Sequence, residues 1–273
     1  MKNRLLANSF PKGGSTLLAE TIELLSYKNH IPTAGMPKAF NYKEARDALH
    51  NIRYTENIKE KIAISPFAPW YAEYENFRHW LNDVSPDYYI FGHLPWVPVL
   101  DSLIEELNFR HLVIIRDPRS ILASLIFEEG ITPRFLTADL DPMSLSERLA
   151  FMTSGGYALK ADATVQSFTD SYRSMLAWRN DKNCLVVRFE ELVGEWGENT
   201  QREAAKKIAS YLNVQFGENI LEILNRPDAP WGKRFRTDQL KKWKDLMRED
   251  DIDYILNRCE VVSQDAGYDQ VRL

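Results

Sequence analysis

The chain has few cysteines, no long apolar run and no excess of positive charge, and each lack narrows what it can be. Two cysteines in 273 residues, Cys184 and Cys259, rule out a disulfide framework. Cys184 lies in an apolar run and reads as a core residue rather than a reactive thiol. No stretch reaches the roughly 18 apolar residues of a membrane span. Thirty-four basic against 39 acidic residues give a net charge of −5. Nothing global therefore draws the chain to nucleic acid or to an anionic membrane, and any anion site has to be local. Internal repeats, low-complexity tracts and evident linkers are missing too, which points to one domain, 1–273. The first apolar run starts within a few residues of the N-terminus and leaves no room for a signal peptide, so a reducing, cytoplasmic setting is expected.

What is present is ordinary core material. At 44% hydrophobic and 27% charged residues, the chain can bury a sizeable α/β core. Four short apolar runs, 5–10, 88–91, 111–116 and 184–189, read as buried parallel strands. Helical patterns separate them. Ala161, Val165, Phe168, Tyr172, Met175 and Arg179 step by four and three, predicting one helix with an apolar stripe. Thr200-x-x-Glu203 predicts a capping box ahead of Ala204, Ala205, Ile208 and Leu212. The segment 29–86 is less regular and rich in aromatics (Phe40, Phe67, Trp70, Tyr71, Tyr74, Phe77, Trp80), which suits either a helical cover over a pocket or ordinary core. The expected fold class is α/β, a central parallel sheet flanked by helices, with ligands bound at the carboxyl ends of the strands.

The most informative stretch is Pro11-Lys12-Gly13-Gly14-Ser15-Thr16, between the first apolar run and an amphipathic one. That order reads as strand, tight turn, helix. A helix starting on such a turn aims unpaired N–H groups and the positive end of its dipole at one point, an anion site. Lys12 adds a full charge, and Ser15 and Thr16 add hydroxyls. The ATP loop G-x-x-x-x-G-K-[ST] is different, because its lysine follows the last glycine. A solvated turn has the same composition, so this stretch alone does not decide.

Three further motifs carry chemistry. Arg116-Asp117-Pro118-Arg119-Ser120 follows a strand, with Asp117 a good N-cap, Pro118 a good first helical residue and Ser124 about two turns on. The forked guanidinium of Arg116 suits phosphate oxygens, although a surface arginine at a helix start would look the same. Phe91-Gly92-His93-Leu94-Pro95 puts a histidine after a buried strand, where it is placed for general-base work or is a satisfied structural residue. Lys233-Arg234-Phe235-Arg236-Thr237 and Lys241-Lys242-Trp243-Lys244 form a basic cluster with interleaved aromatics, either a solvated face or a cover over a polyanion.

In this order the four motifs resemble the sulfotransferases that use 3′-phosphoadenosine 5′-phosphosulfate, in particular the cytosolic, bacterial-like type acting on small molecules. The resemblance runs from Leu5 to Trp243. The family's P-K-[SG]-G-[ST]-T loop matches Pro11 to Thr16, and its R-D-P-R with a serine eight residues on matches Arg116 and Ser124. H-L-P matches His93-Leu94-Pro95. A late R-x-x-x-x-x-x-W matches Arg236 to Trp243, and aromatic-E-[DE]-[LM] matches Phe189-Glu190-Glu191-Leu192. The resemblance implies His93 and Lys12 as catalytic residues. It implies Lys12, Gly13, Gly14, Ser15, Thr16, Arg116, Ser124, Phe189, Arg234 and Arg236 as binding residues for that donor, whose product is 3′,5′-adenosine bisphosphate, with no metal.

Four departures stand out. Leu17 replaces the tryptophan that stacks on adenine, and Asp238 replaces the glycine of an R-K-G triplet. Phe91 replaces a lysine two before the histidine, and the usual adenine clamp before Arg236 is missing. Trp231 or Phe189 is expected to supply stacking surface. The loop 127–142 carries Glu128, Glu129, Asp139 and Asp141 beside Phe127, Phe135 and Leu136, which would suit a cationic or amphipathic small-molecule acceptor such as a nitrogenous natural product. Surface solvation explains the same acids. Nucleic-acid and membrane partners are not expected, and oligomeric state is open. Two other classes stay in view: a small-molecule kinase using ATP and Mg²⁺, and a nucleotide-binding relative without catalysis.

Overall fold

A computed structural model describes residues 4–25, 29–32, 61–68, 71–86, 88–127, 134–217, 219–225 and 247–269. Five parallel strands form the central sheet: β1 (Arg4–Ser9), β2 (Asn29–Pro32), β5 (Tyr88–Gly92), β6 (Phe109–Ile115) and β9 (Cys184–Arg188), in the order β2-β5-β1-β6-β9. β1 is the middle strand. Its register pairs Asn8 with Gly92 on one side and Ser9 with Ile114 on the other, so the carboxyl ends of β1, β5 and β6 lie side by side.

Side chains along a strand alternate between faces, and the two cores follow that period. Leu6, Ile90 and Val113 join one apolar cluster, while Leu5, Ala7, Tyr89, Leu112 and Ile114 join the other. The second cluster is closed by α1 (Ser15–Leu24), α9 (Glu198–Leu212) and α10 (Asn219–Leu224). The first is closed by α2 (Tyr74–Asn82), α3 (Pro98–Glu106), α4 (Pro118–Phe127), α6 (Leu145–Ser154), α7 (Phe168–Leu176) and α11 (Glu249–Asp265). A sheet buried on both faces is why its strands read as unbroken apolar runs. The expected α/β class and parallel sheet are what the chain forms.

Three local expectations are corrected. The helix expected over 161–179 starts only at Phe168. Ahead of it β7 (Gly156–Ala158) and β8 (Ala163–Val165) form an antiparallel hairpin, with Ala158 and Val165 buried. The Thr200 box does not form, because α9 begins at Glu198 with Gly197 as N-cap at φ 99°, and the Thr200 hydroxyl donates back to the Trp196 carbonyl at 3.0 Å. A true capping box stands elsewhere, Ser144 with Glu147 at the head of α6. Finally, the described part of 29–86 is not simply a helical cover. It supplies edge strand β2, the hairpin of β3 (Lys61–Ala63) and β4 (Tyr71–Glu73), and α2. Phe67 and Phe77 are core residues, with Phe67 edge-on to Phe10 at 4.9 Å. Phe40 and Trp70 lie outside the described residues.

Candidate active site

The site grows from the end of β1. After Ser9 the chain turns through Lys12, at φ 65°, and Gly14, at φ 106°, and enters α1 at Ser15. Both glycines are forced. A Cβ on Gly13 would sit 2.8 Å from the Phe10 carbonyl oxygen, and one on Gly14 would sit 2.6 Å from the Phe189 ring in a backbone region that disfavours side chains. The Gly13 N–H donates to the Phe10 carbonyl at 2.8 Å. The Gly13 N–H is thus committed to the turn itself. The first helical bond runs from Leu18 N–H to Gly14 C=O, and α1 has neither a side-chain cap nor an acid in its first turn. The N–H groups of Ser15, Thr16 and Leu17 therefore head a helix with no local anion on them, the arrangement that favours a bound phosphate or sulfate.

His93 stands beside this turn, just past β5. Its Nδ1 lies 2.7 Å from the Ser9 carbonyl oxygen. A carbonyl only accepts, so Nδ1 carries the proton and Nε2 holds the lone pair. Burial pushes the His93 pKa below its ordinary value, and the bond to Ser9 opposes that push. Neutral imidazole with a bare Nε2 is the form a general base needs. The Ser9 hydroxyl lies 2.7 Å from Ser15 Oγ and 3.4 Å from His93 Nδ1, joining the histidine to the head of α1. Asn8, fully buried, donates to the Leu94 carbonyl at 2.8 Å and accepts the Leu94 N–H at 2.9 Å. Trp178 Nε1 donates to the same carbonyl at 2.8 Å. These contacts pin the turn that carries His93 to β1.

Arg116 closes the other side from the end of β6. Its Nη1 donates to the Lys12 carbonyl at 2.9 Å, and its guanidinium lies over the Phe189 ring with 4.6 Å to the centroid. It is 4% exposed. Burial pulls its pKa down, opposed by the charges of Glu190 and Asp117. The adjacent acids are engaged elsewhere. Asp117 pairs with Arg119 at 2.6 Å, and the Glu190 oxygens accept the Asp117 N–H at 3.0 Å and the Tyr268 hydroxyl at 2.7 Å. Among the described residues Arg116 forms no ion pair, so an almost buried cation is left for an anion from outside. Asp117 also caps α4 as expected, accepting from Arg119 N–H at 2.9 Å.

The structure thus ties the Lys12 turn, His93 and Arg116 into one hydrogen-bonded edge. Ser124 lies half-buried on α4, two turns from Arg116. Phe189, at 0% exposure, is packed under Gly14 and forms a floor beneath the Arg116 guanidinium. Arg234, Arg236, Trp231 and Asp238 lie outside the described residues, as do Glu128 and Glu129. The Asp139 carboxylate accepts the N–H groups of Lys160 and Ala161 at 2.7 and 2.9 Å, so it holds the β7–β8 hairpin. Sequence reasoning missed Asn8, Ser9 and Tyr268. Asn8 left a trace, a lone amide inside an apolar strand. Among the described residues, no group of three His, Cys, Asp or Glu side chains is placed to hold a metal, and no helix is long and apolar enough to cross a membrane.

Fold and site together define a parallel α/β protein with a glycine turn heading an uncapped helix, a histidine and a buried arginine along one carboxyl edge. Residues 2–227 match the sulfotransferase domain family, and the chain belongs to it. No curated protein sequence matches. Two similar solved structures are mouse sulfotransferase SULT7A1 complexed with PAP and retinol dehydratase in complex with androsterone and inactive cofactor PAP. The first is 14% identical, with a TM-score of 0.57 over 100% of this chain and 90% of that one. The second is 13% identical, with a TM-score of 0.54 over 99% of this chain and 82% of that one. At these identities the likeness is one of fold.

Proposed function

We propose that the protein transfers a sulfuryl group from 3′-phosphoadenosine 5′-phosphosulfate to a hydroxyl or amine of a small-molecule acceptor. One observation carries the reading: a histidine whose Nδ1 is committed to the Ser9 carbonyl stands next to an uncapped helix start with Lys12 in its turn. Two relatives by fold were solved with PAP, which supports the choice of nucleotide.

The donor brings an activated sulfuryl group and a phosphate leaving group. Gly14, Ser15 and Thr16 hold the 5′ end at the head of α1, and Lys12 neutralises the charge that develops on the bridging oxygen. His93 Nε2 takes the acceptor's proton as the new S–O or S–N bond forms. The old S–O bond breaks, and its electron pair leaves with the phosphate. Arg116 and Ser124, with Arg234 and Arg236 from the late basic cluster, read the 3′-phosphate. Positioning and charge stabilisation carry the rate, and no step requires a metal.

The test is a thermal-shift titration with 3′,5′-adenosine bisphosphate against ADP and ATP plus Mg²⁺. At about 100 times the dissociation constant a ligand adds about 2.7 kcal/mol to stability, a rise of roughly 5–10 °C for a chain of this size. A shift with the bisphosphate alone supports the reading. A shift only with ATP and Mg²⁺ overturns it in favour of a kinase.

A further inference from the structure

The segment that follows α11 lies beyond the residues matching the family, yet it is knitted into the anion site. Three consecutive residues do this. The Tyr268 hydroxyl donates to Glu190 Oε2 at 2.7 Å, and its carbonyl accepts Arg119 Nη2 at 3.1 Å. The Ala266 carbonyl accepts Arg188 Nη2 at 2.9 Å, and the Arg188 guanidinium lies 4.5 Å over the Tyr268 ring. Gly267, at φ 74°, makes the bend between them, and a Cβ there would sit 2.8 Å from Arg188 Nη2. Tyr268 is 0% exposed and Glu190 5%. The tail thus binds the residue ending β9 (Arg188), the start of the turn after it (Glu190) and the start of α4 (Arg119) at once.

Glu190 is the hinge of this arrangement. Its other oxygen holds the Asp117 N–H, and Asp117 follows Arg116 directly. A second tyrosine, Tyr172, donates to the Arg116 carbonyl at 2.7 Å, so both polar groups of the peptide bond that joins Arg116 to Asp117 are held by buried hydrogen bonds. The Arg116 side chain rests on Phe189, which precedes Glu190. Moving Glu190 therefore moves both the backbone and the floor of the arginine.

We infer that Tyr268 is a positioning residue for nucleotide recognition, a latch from the C-terminal segment that acts through Glu190 to hold Arg116 toward a phosphate. The inference rests on the proposed donor. It predicts that the latch governs discrimination between nucleotides with and without a 3′-phosphate, rather than general affinity. Burial keeps the Tyr268 pKa well above that of an ordinary phenol, so it remains a donor across the working range.

The experiment compares the dissociation constants of 3′,5′-adenosine bisphosphate and adenosine 5′-monophosphate for the full chain, for Tyr268→Phe, for Glu190→Gln and for the double variant. The unaltered protein should favour the bisphosphate. Tyr268→Phe should reduce that preference about tenfold, the scale of one hydrogen bond to a charged group, while monophosphate affinity stays put. Adding Tyr268→Phe to Glu190→Gln should then change nothing further, because the two act in series. If the unaltered protein shows no preference, the proposed donor itself fails. If it shows one and Tyr268→Phe preserves it, the latch fails. Equal losses for both nucleotides, or additive losses in the double variant, would reduce Tyr268 to a structural role and overturn the inference. Should Tyr268→Phe not fold, Glu190→Gln alone decides: an unchanged preference overturns the latch and a lowered one supports it.

Discussion

Among the described residues, the contacts that fix His93 and the adjoining Leu94 are neutral: the Ser9 carbonyl on the ring, and the Asn8 amide and Trp178 indole on the Leu94 backbone. Around Arg116, two strand positions away on the same sheet edge, charge dominates, with Asp117, Arg119, Glu190 and Arg188 within one network. Under the proposed function the difference follows from the task. A base must give and take a proton, so its surroundings fix orientation without adding a charge that would lock its state. A phosphate reader must stay cationic while almost buried, so acids stand near it, but their oxygens are engaged by other donors and do not neutralise it. On that proposal one half is held for reaction and the other for recognition.

The largest effect should come from the reacting half. His93→Ala is expected to lower kcat about 10²–10⁴-fold, while the thermal shift with 3′,5′-adenosine bisphosphate is kept. Full turnover in that variant would remove the histidine from the chemistry and erase the distinction between the halves. Arg116→Gln should do the reverse. With charge-assisted hydrogen bonds at about 1.5–3 kcal/mol each, bisphosphate affinity should fall about 100-fold, as read by calorimetric titration. Monophosphate affinity should change far less.

The pH profile separates the halves in another way. Burial sets the His93 pKa below the ordinary 6.5. In the proposed mechanism the neutral form is the active one, so kcat should be level through pH 7 and fall on the acid side with a midpoint below 6.5, about tenfold per pH unit beyond it. The same shift has a stability sign. The unfolded imidazole binds its proton near pH 6.5 and the folded one only lower, so His93 costs stability as pH falls through that window. Buried His111 is depressed in the same direction, and the melting temperature should drop on acidification from pH 7. Glu190 is raised by burial, so its contribution has the opposite slope: it is present below the unfolded value near 4.3–4.5 and lost as pH rises through the folded one. A midpoint above 6.5 for kcat would mean that a negative charge faces the imidazole after all.

Much of this was legible in the sequence, because the signals were local. The strands announced themselves as apolar runs, and the turn at Lys12 as glycines between a strand and a helix. Asp117-Pro118 marked the start of α4. What escaped depended on contacts between distant residues. Asn8 looked like a blemish in an apolar strand until Leu94, 86 residues on, accounted for it. Tyr268 gave no signal, since its partners Glu190 and Arg119 lie 78 and 149 residues away. Phe189 matched an aromatic position, but no sequence pattern says whether a ring is a face or a floor. The failed helix over 161–165 shows how a four-residue step can also fit a hairpin, and the failed box at Thr200 how a glycine three residues earlier can start a helix without a side-chain cap.

The smallest effect is expected for Ser9→Ala, and it bears most directly on how the reacting half is held. Two features of Ser9 face the histidine. The carbonyl sits at 2.7 Å, a strong acceptor distance, whereas the hydroxyl sits at 3.4 Å, beyond a good N–H···O bond, and is closer to Ser15 at 2.7 Å. Alanine keeps the carbonyl and removes only the hydroxyl. The tautomer of His93 should survive, and kcat should fall by less than about threefold, with stability lowered by about 1 kcal/mol from the lost hydroxyl contact. Tyr268→Phe, also the loss of one buried hydroxyl, is expected to cost more in recognition, because its partner is the Glu190 carboxyl and not a neutral hydroxyl such as Ser15. A hundredfold fall in Ser9→Ala would reverse that ranking. It would mean that the Ser15–Ser9–His93 hydroxyl chain, and not the backbone, sets the state of the base.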